Sequence, residues 1–332
     1  MLKKPLVLVT ERIADVGLGV LEESCEVCTP WGHGRTHTRE ELGAADALIV
    51  RLCKITADVL SVATKLKVIG RHGAGFDSVD LKAATEKGIP VVFTPSAQTM
   101  ANAVAEHTIQ MMLALARHTV MADKFVREGN FDKRGSLQGI ELRQKTLGVI
   151  GLGAIGAKVA EICQNGLGMI VVGYDPYAEE QTSQGAFTLV DSLLELLEQA
   201  DVVTLHLPCT AETTHLINAK TLCHMKPSAM LINTARGAVV DTVALAEALC
   251  RGHLLGAALD VFEKEPPALD HPLISDPRTL FSPHICSSTQ ASMERIAELV
   301  ARQVVQALKG ERPEFVANPA VFENMPGRPR FF

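Results

Sequence analysis

One stretch of this chain limits its fold more than any other. Thr146-Leu147-Gly148-Val149-Ile150 is an apolar run of strand length, and Gly151-Leu152-Gly153-Ala154-Ile155-Gly156 follows it at once. A helical pattern comes next, with Ile155, Val159 and Ile162 on one face. Strand, G-x-G-x-x-G and helix in that order make a phosphate cradle. Gly151 permits the tight turn, Gly153 lets backbone N–H groups approach a pyrophosphate, and Gly156 lets the helix lie close on the strand. The helix amino terminus, at Ala154 and Ile155, then faces the negative charge. The following strand, Ile170–Tyr174, ends in Asp175, close to the roughly 20 positions after the first glycine expected of a ribose-binding acid. A carboxylate there accepts hydrogen bonds from ribose hydroxyls and repels a 2′-phosphate. Pro176 and Tyr177 offer no arginine to such a phosphate, so NAD is favoured over NADP. The second glycine pair, Gly17-Leu18-Gly19, has no strand before it and no third glycine after it; it reads as loop or helix punctuation.

Alternation of short β-rich runs with helical patterns extends along the chain. Strands are predicted at Leu6–Val9, Ala47–Val50, Lys67–Ile69, Leu147–Ile150, Ile170–Tyr174, Val202–His206, Met230–Asn233, Ala257–Asp260 and Leu280–Ser282. Parallel sheets covered by helices, the α/β doubly wound class, follow from that order. Two long helices are predicted, at about Ala101–His118 and Gln290–Leu308. In the second, Ile296, Val300, Val304 and Leu308 recur every four residues and Gly310 supplies the stop. With 332 residues, 47% of them hydrophobic, the chain can fill two cores. A complete nucleotide-binding pattern occurs only within 99–288. We therefore expect an inserted dinucleotide-binding domain over 99–288, with 1–98 and 289–332 forming a substrate domain to which the second long helix returns the chain. The tail after Pro313, with Pro319, Pro326, Gly327 and Pro329, reads as an irregular surface arm.

Charge and cysteine content narrow the function classes. The formal net charge of -6 argues against a general basic surface for nucleic acid. No apolar run approaches the roughly 20 residues that span a bilayer, and Glu11 and Arg12 cut the amino-terminal run too short for a secretory signal. A soluble cytoplasmic protein is expected. The eight cysteines are scattered, unlike a secreted disulfide framework. Cys25 and Cys28 form a C-x-x-C without the second ligand pair that a zinc site needs, so they are read as structural thiols and no metal is expected.

Three polar residues stand near the ends of successive predicted strands: Arg236 after Leu231–Ala235, Glu265 after Ala257–Phe262, and His284 after Leu280–Pro283. In an open α/β sheet ligands collect outside the carboxyl ends of strands, so the three are candidates to converge. Reduction of a 2-oxo acid needs a hydride at C2 and a proton at the carbonyl oxygen. A histidine exchanges protons near neutral pH, a carboxylate on its second ring nitrogen fixes the tautomer and favours the imidazolium, and an arginine holds an anionic carboxylate and polarises the carbonyl. Each residue also has a plain structural alternative: a turn histidine, a solvated glutamate, an arginine in a helix-entry loop. Their order and setting carry the case.

At this point the sequence resembles the D-2-hydroxyacid dehydrogenase family, from about residue 45 to 310. The resemblance rests on Thr146 to Gly156, on His206-Leu207-Pro208 with Thr210 and Thr214, on Asn233 to Asp241, on Ala257 to Pro266 and on Ser282-Pro283-His284. It implies a Rossmann cofactor domain inserted into a flavodoxin-like substrate domain, NAD as cofactor, a small anionic 2-oxo or 2-hydroxy acid as partner, and a homodimer. It also implies Arg236 for substrate binding, Glu265 as partner of the histidine and His284 as acid/base. Asp260 would hold the nicotinamide carboxamide, with Pro208, Thr234 and Ala235 lining the cofactor cleft. In the first domain, Gly70–Asp77 resembles the family's substrate loop, with amides around Gly73 and Ala74 suited to a carboxylate and Arg71 beside them. Arg51 resembles an additional anion-binding arginine. A plain glycine turn and a salt-bridged surface arginine are the alternatives, and His72 and His107 are expected to pack or to face solvent.

The sequence also departs from the pattern. Ala154 stands where many relatives carry arginine, Cys286 replaces a common glycine, and Pro95 to Asn102 replaces a shorter Pro-Gly-x-Asn turn, which leaves specificity open there. Two anion-binding arginines make 3-phosphoglycerate/phosphohydroxypyruvate the first expected substrate pair and glycerate/hydroxypyruvate the second. The reading from a different class is an NAD-sensing scaffold with little turnover.

Overall fold

The computed structural model describes residues 3–178 and 187–323. The chain divides into two compact units, Met1–Met100 with Ser288–Phe332, and Ala101–Ser287. Among the described residues, the first unit contains β1 (Leu6–Val9), β2 (Glu26–Cys28), β3 (Ala47–Val50), β4 (Val68–Arg71) and β5 (Val91–Val92). They form one sheet of order β2-β1-β3-β4-β5 with every pairing parallel, the flavodoxin-like order. The second unit contains β6 (Thr146–Ile150), β7 (Ile170–Tyr174), β8 (Thr188–Leu189), β9 (Val202–Leu205), β10 (Met230–Asn233), β11 (Gly256–Leu259) and β12 (Thr279–Phe281). Their order is β12-β11-β10-β9-β6-β7-β8, again wholly parallel. Counted from β6, this is the 3-2-1-4-5-6 Rossmann order with β12 added at the edge.

Both faces of each sheet are buried, which is why the strands read as continuous apolar runs rather than alternating ones. Successive residues still point to opposite faces. In the first unit Val7, Val9, Ile49, Val68 and Val92 enter one core, while Leu8, Leu48, Val50, Ile69 and Val91 enter the other. In the second unit Leu147, Val149, Val171, Val202 and Ile232 share a core with Met111 and Met112 of the helix Ala101–Ala116, and Ile150, Val172, Val203, Leu231 and Leu259 fill the opposite one.

The three strands absent from the sequence prediction, β2, β5 and β8, are all edge strands of two or three residues. A run of two or three residues is too short to show a strand period in the sequence. The helix Gln290–Leu308 has the predicted bounds, whereas the helix expected to reach His118 ends at Ala116. His118 adopts left-handed φ 51 and begins a separate helix, Thr119–Arg127. The tail after Pro313 is not an irregular arm over its described part. Val316 bridges Val92. The buried Asn318 accepts the Val91 N–H at 2.8 Å and donates to Ile89 O at 2.9 Å and Thr85 Oγ1 at 3.0 Å. Pro326, Gly327 and Pro329 lie outside the described residues.

Gly17 and Gly19 both lie within the helix Asp15–Glu22, but their surroundings differ. A Cβ on Gly17 would meet Ala297 O at 2.7 Å and Ala297 Cβ at 2.8 Å, so this glycine permits close contact with the helix Gln290–Leu308. A Cβ on Gly19 would meet nothing within 4 Å. Gly17→Ala should lower stability by about 1–3 kcal/mol through overpacking. Gly19→Ala should raise it by about 0.4–1 kcal/mol through backbone entropy and helix propensity. Urea titration of the two variants checks the opposite signs.

Candidate active site

In the second unit the strand order reverses between β6 and β9, and the glycine loop springs from β6 at that point, where α/β sheets bind ligands. Gly151 has φ 88, and a Cβ there would meet His206 O at 2.5 Å, so the turn runs against the end of β9. A Cβ on Gly156 would meet Gly151 O at 2.0 Å, which ties the helix Ala154–Leu167 down onto the turn. A Cβ on Gly153 would meet nothing within 4 Å. The open side of the cradle is therefore at Gly153, the N-cap of that helix, where the first-turn amides lack intrahelical acceptors. Asp175 follows β7 and accepts the Leu152 N–H on Oδ2 at 2.8 Å and the Tyr177 N–H on Oδ1 at 2.9 Å. It braces the glycine loop and keeps lone pairs for ribose hydroxyls. These residues fit a dinucleotide.

Further along the same sheet edge, Pro208 is exposed and follows β9. Thr234 and Ala235 follow β10 and are buried, with the Thr234 hydroxyl bonded to Thr108 Oγ1 at 2.8 Å. Arg236 is half-buried, and its Nη1 donates to Ala235 O at 2.7 Å. His284 Nδ1 and Glu265 Oε2 lie 2.8 Å apart, and Glu265 Oε1 accepts the Phe262 N–H at 3.1 Å. The carboxylate thus assigns the proton to Nδ1 and leaves Nε2 for a ligand. Arg236 belongs to the same neighbourhood: a Cβ on the adjacent Gly237 would meet Phe262 O at 2.1 Å and Glu263 N at 2.3 Å, in the loop that carries Glu265. The thiol of Cys286 lies two positions beyond His284. Burial, followed by the Asp260 charge, drives that thiol far upward, so Cys286 is not a thiolate nucleophile.

His284 has left-handed φ 53, a conformation that side chains other than glycine's adopt at a cost. Asp260 holds it. The Asp260 carbonyl accepts the His284 N–H at 2.8 Å. Its carboxylate, on a fully buried residue, accepts the N–H groups of Ile285 at 2.9 Å and Cys286 at 3.0 Å and the Ser282 hydroxyl at 2.5 Å. Ser282 Oγ in turn lies 2.9 Å from His107 Nε2. Asp260, which the resemblance assigns to the nicotinamide, is thus engaged by the histidine's own loop.

In the first unit, Arg51 follows β3 and Arg71 ends β4. The Glu11 carboxylate receives the N–H groups of Arg51 at 2.9 Å, Leu52 at 2.6 Å and Cys53 at 2.5 Å, fixing the turn that carries Arg51. Arg71 Nη1 donates to His72 O. Gly73 has φ 140, and a Cβ there would meet Arg71 Nη1 at 2.8 Å, so the guanidinium folds over that glycine beside Ala74. Buried His72 is held down to about 4, first by burial and then by the charges of Arg51 and Arg71. Both guanidinium groups therefore act on one spot.

Sequence reasoning did not single out Glu11, His107, Ser282 or Glu263 as organising residues. Ser282 and Glu263 lie inside motifs that were recognised, which was the available signal. In the sequence Glu11 marks only the end of an apolar run. His107 does not simply pack or face solvent but reaches Ser282.

The chain matches the family model "D-isomer specific 2-hydroxyacid dehydrogenase, NAD binding domain" over residues 109–286. It is 42% identical over 314 residues to D-3-phosphoglycerate dehydrogenase of Methanocaldococcus jannaschii, covering 94% of this chain and 59% of that protein. The chain thus spans less than two thirds of that relative. It is also 42% identical over 335 residues to glyoxylate reductase of Thermofilum pendens, covering 97% of each. Among solved structures, D-lactate dehydrogenase from Aquifex aeolicus, complexed with NAD and lactic acid, aligns with TM-score 0.79 at 34% identity over 92% of this chain and 96% of that one.

Burial alone would raise the Asp260 carboxyl, but hydrogen bonds from His107, Ser282, Ile285 and Cys286 outweigh it and hold the group at about 2, against an ordinary 3.8. A carboxyl depressed by folding stabilises the fold above its unfolded value and loses that contribution as the pH falls through its folded value. Asp260→Asn should therefore cost about 2 kcal/mol at neutral pH. The difference from the parent chain should shrink as the pH falls from 3.8 toward 2. Urea midpoints recorded across that range check both statements.

Proposed function

The chain belongs to the D-isomer specific 2-hydroxyacid dehydrogenase family, and on that premise we propose that it interconverts a small D-2-hydroxy acid and its 2-oxo acid with NAD. The observation that carries this reading is the 2.8 Å contact between His284 Nδ1 and Glu265 Oε2, with Arg236 in the same neighbourhood. Bound NADH would supply the hydride in reduction, and bound NAD would accept it in oxidation. In reduction, His284 presents a proton at Nε2 to the carbonyl oxygen while Glu265 keeps Nδ1 protonated. Arg236 binds the carboxylate and polarises the carbonyl. Gly151, Gly153, Ala154, Ile155 and Gly156 would hold the pyrophosphate, Asp175 the ribose hydroxyls, and Pro208, Thr234 and Ala235 would line the remainder of the cofactor cleft.

Arg51, Arg71 and the amides around Gly73 and Ala74 would bind anionic groups of the substrate. Two arginines suit a second anion, so 3-phosphoglycerate/phosphohydroxypyruvate leads and glycerate/hydroxypyruvate follows. The named relatives support an acid substrate but differ over its side chain. We also propose a homodimer. The helix Thr119–Arg127 buries none of its residues, and Leu113, Val120, Val126 and Phe131 are exposed around it, as on a surface that a second copy covers. The eight cysteines are free thiols, the state favoured in the reducing cytoplasm where we place the protein.

Nicotinamide absorbance followed with phosphohydroxypyruvate, hydroxypyruvate, glyoxylate and pyruvate, using NADH and NADPH in turn, tests the reading. Turnover with at least one acid and a preference for NADH are expected; NADH binding without turnover on any of the four overturns it. His284→Ala should lower turnover about a hundredfold or more while NADH binding, read by fluorescence, persists. Asp175→Ala should weaken the preference for NADH over NADPH in the same assay.

A further inference from the structure

The loop after β11 carries two glutamates, and the reaction proposed above uses only Glu265. Glu263 occupies a second histidine–carboxylate pair. Its Oε2 lies 3.0 Å from His215 Nε2, and its Oε1 accepts the Thr242 N–H at 3.0 Å and the Thr242 hydroxyl at 2.5 Å. These partners come from two other segments, the loop after β9 and the start of the helix Thr242–Cys250. Burial alone would raise the Glu263 carboxyl, but hydrogen bonds from Thr242 and His215 outweigh it and keep it below its ordinary value. One ionised side chain therefore joins three segments at the carboxyl edge of the sheet.

His215 is itself anchored. It adopts left-handed φ 50, its N–H donates to Ala238 O at 2.8 Å, and its carbonyl accepts Asn218 Nδ2 at 2.8 Å. Ala238 lies two positions after Arg236. Between them stands Gly237, where a Cβ would meet Phe262 C at 1.9 Å, Phe262 O at 2.1 Å and Glu263 N at 2.3 Å. The backbone beside Arg236 and the backbone of Glu263 are thus in direct contact. A displacement of Glu263 would reach Arg236 through that contact and Glu265 through two peptide units.

We propose that Glu263, held by His215 and Thr242, is a positioning residue that sets Glu265 against His284 and the Arg236 turn against both. This rests on the roles proposed for Arg236, Glu265 and His284. The side chains of His215 and Glu263 are 44% and 33% exposed, and ion pairs so open to water add little net stability. Loss of the pair should therefore show in site geometry more than in melting temperature.

The test uses the full chain with Glu263→Ala, Glu263→Gln, His215→Asn and the double variant His215→Asn/Glu263→Ala. Glutamine keeps an oxygen for Thr242, and asparagine tolerates the left-handed backbone. Two readouts are taken. The first is the pair of ¹⁵N signals of the His284 ring at fixed pH, assigned with His284→Asn; it needs no substrate. The second is kcat and KM for hydroxypyruvate reduction, with NADH affinity measured by fluorescence.

The Nδ1–H pattern is expected in the parent chain, with a shift toward the Nε2–H tautomer in Glu263→Ala. That variant should lose about tenfold in kcat, with NADH affinity unchanged, and Glu263→Gln should recover most of the loss. The double variant should be no worse than Glu263→Ala, since both changes break one interaction. Unchanged ring signals in Glu263→Ala overturn the proposal, whatever happens to the rate, as do losses that add in the double variant. If the parent does not turn over hydroxypyruvate, the substrate reading bears that failure, and the ring signals alone decide the role of Glu263.

Discussion

Parallel strands covered on both faces leave polar chemistry few places to go. The central strands of the second unit, β6, β7, β9, β10 and β11, are apolar and buried through most of their length, and every strand of the sheet runs in the same direction. The segments that leave the carboxyl ends therefore gather along one edge, whatever their distance in sequence. Gly151, Asp175, Pro208, Arg236, Glu265 and His284 follow six different strands and share that edge. The strand reversal between β6 and β9 opens the crevice there. The helices contribute by burying the faces, and at one point by presenting an amino terminus at Gly153.

Along that edge, three carboxylates differ in what surrounds them. Asp260 is fully buried and takes two backbone amides and a hydroxyl, with the His107 ring 3.5 Å away, so it holds backbone. Glu263 takes one amide, one hydroxyl and one imidazole, so it joins segments. Glu265 takes one amide and faces His284 Nδ1, so it braces the ring proposed to exchange the proton. The first unit repeats the first of these arrangements: Glu11 takes three consecutive amides and fixes the turn of Arg51.

The glycine motif, the ribose acid and the apolar runs were legible because their geometry is local. A G-x-G-x-x-G between strand and helix specifies its own turn, and Asp175 lies one strand further on. Central strands were legible because burial on two faces demands continuous apolar residues. β2, β5 and β8 were not, since two or three residues at a sheet edge carry too little pattern. Gly17 looked like punctuation but is a contact between two helices whose residues are far apart in sequence. Asn318 looked like part of a loose tail and instead caps Val91 across the length of the chain. No periodicity encodes such pairs.

By itself the sequence determined the strand–helix alternation, the dinucleotide cradle and the residue types able to move a proton and hold an anion, because each follows from spacing within a short segment. Tertiary structure decided which polar residues meet. His284 joins Glu265, Glu263 joins His215 and Thr242, and Asp260 turns to the loop of His284. Hydrogen bonds act over about 3 Å, and only a folded sheet brings residues 19 to 48 positions apart within that distance.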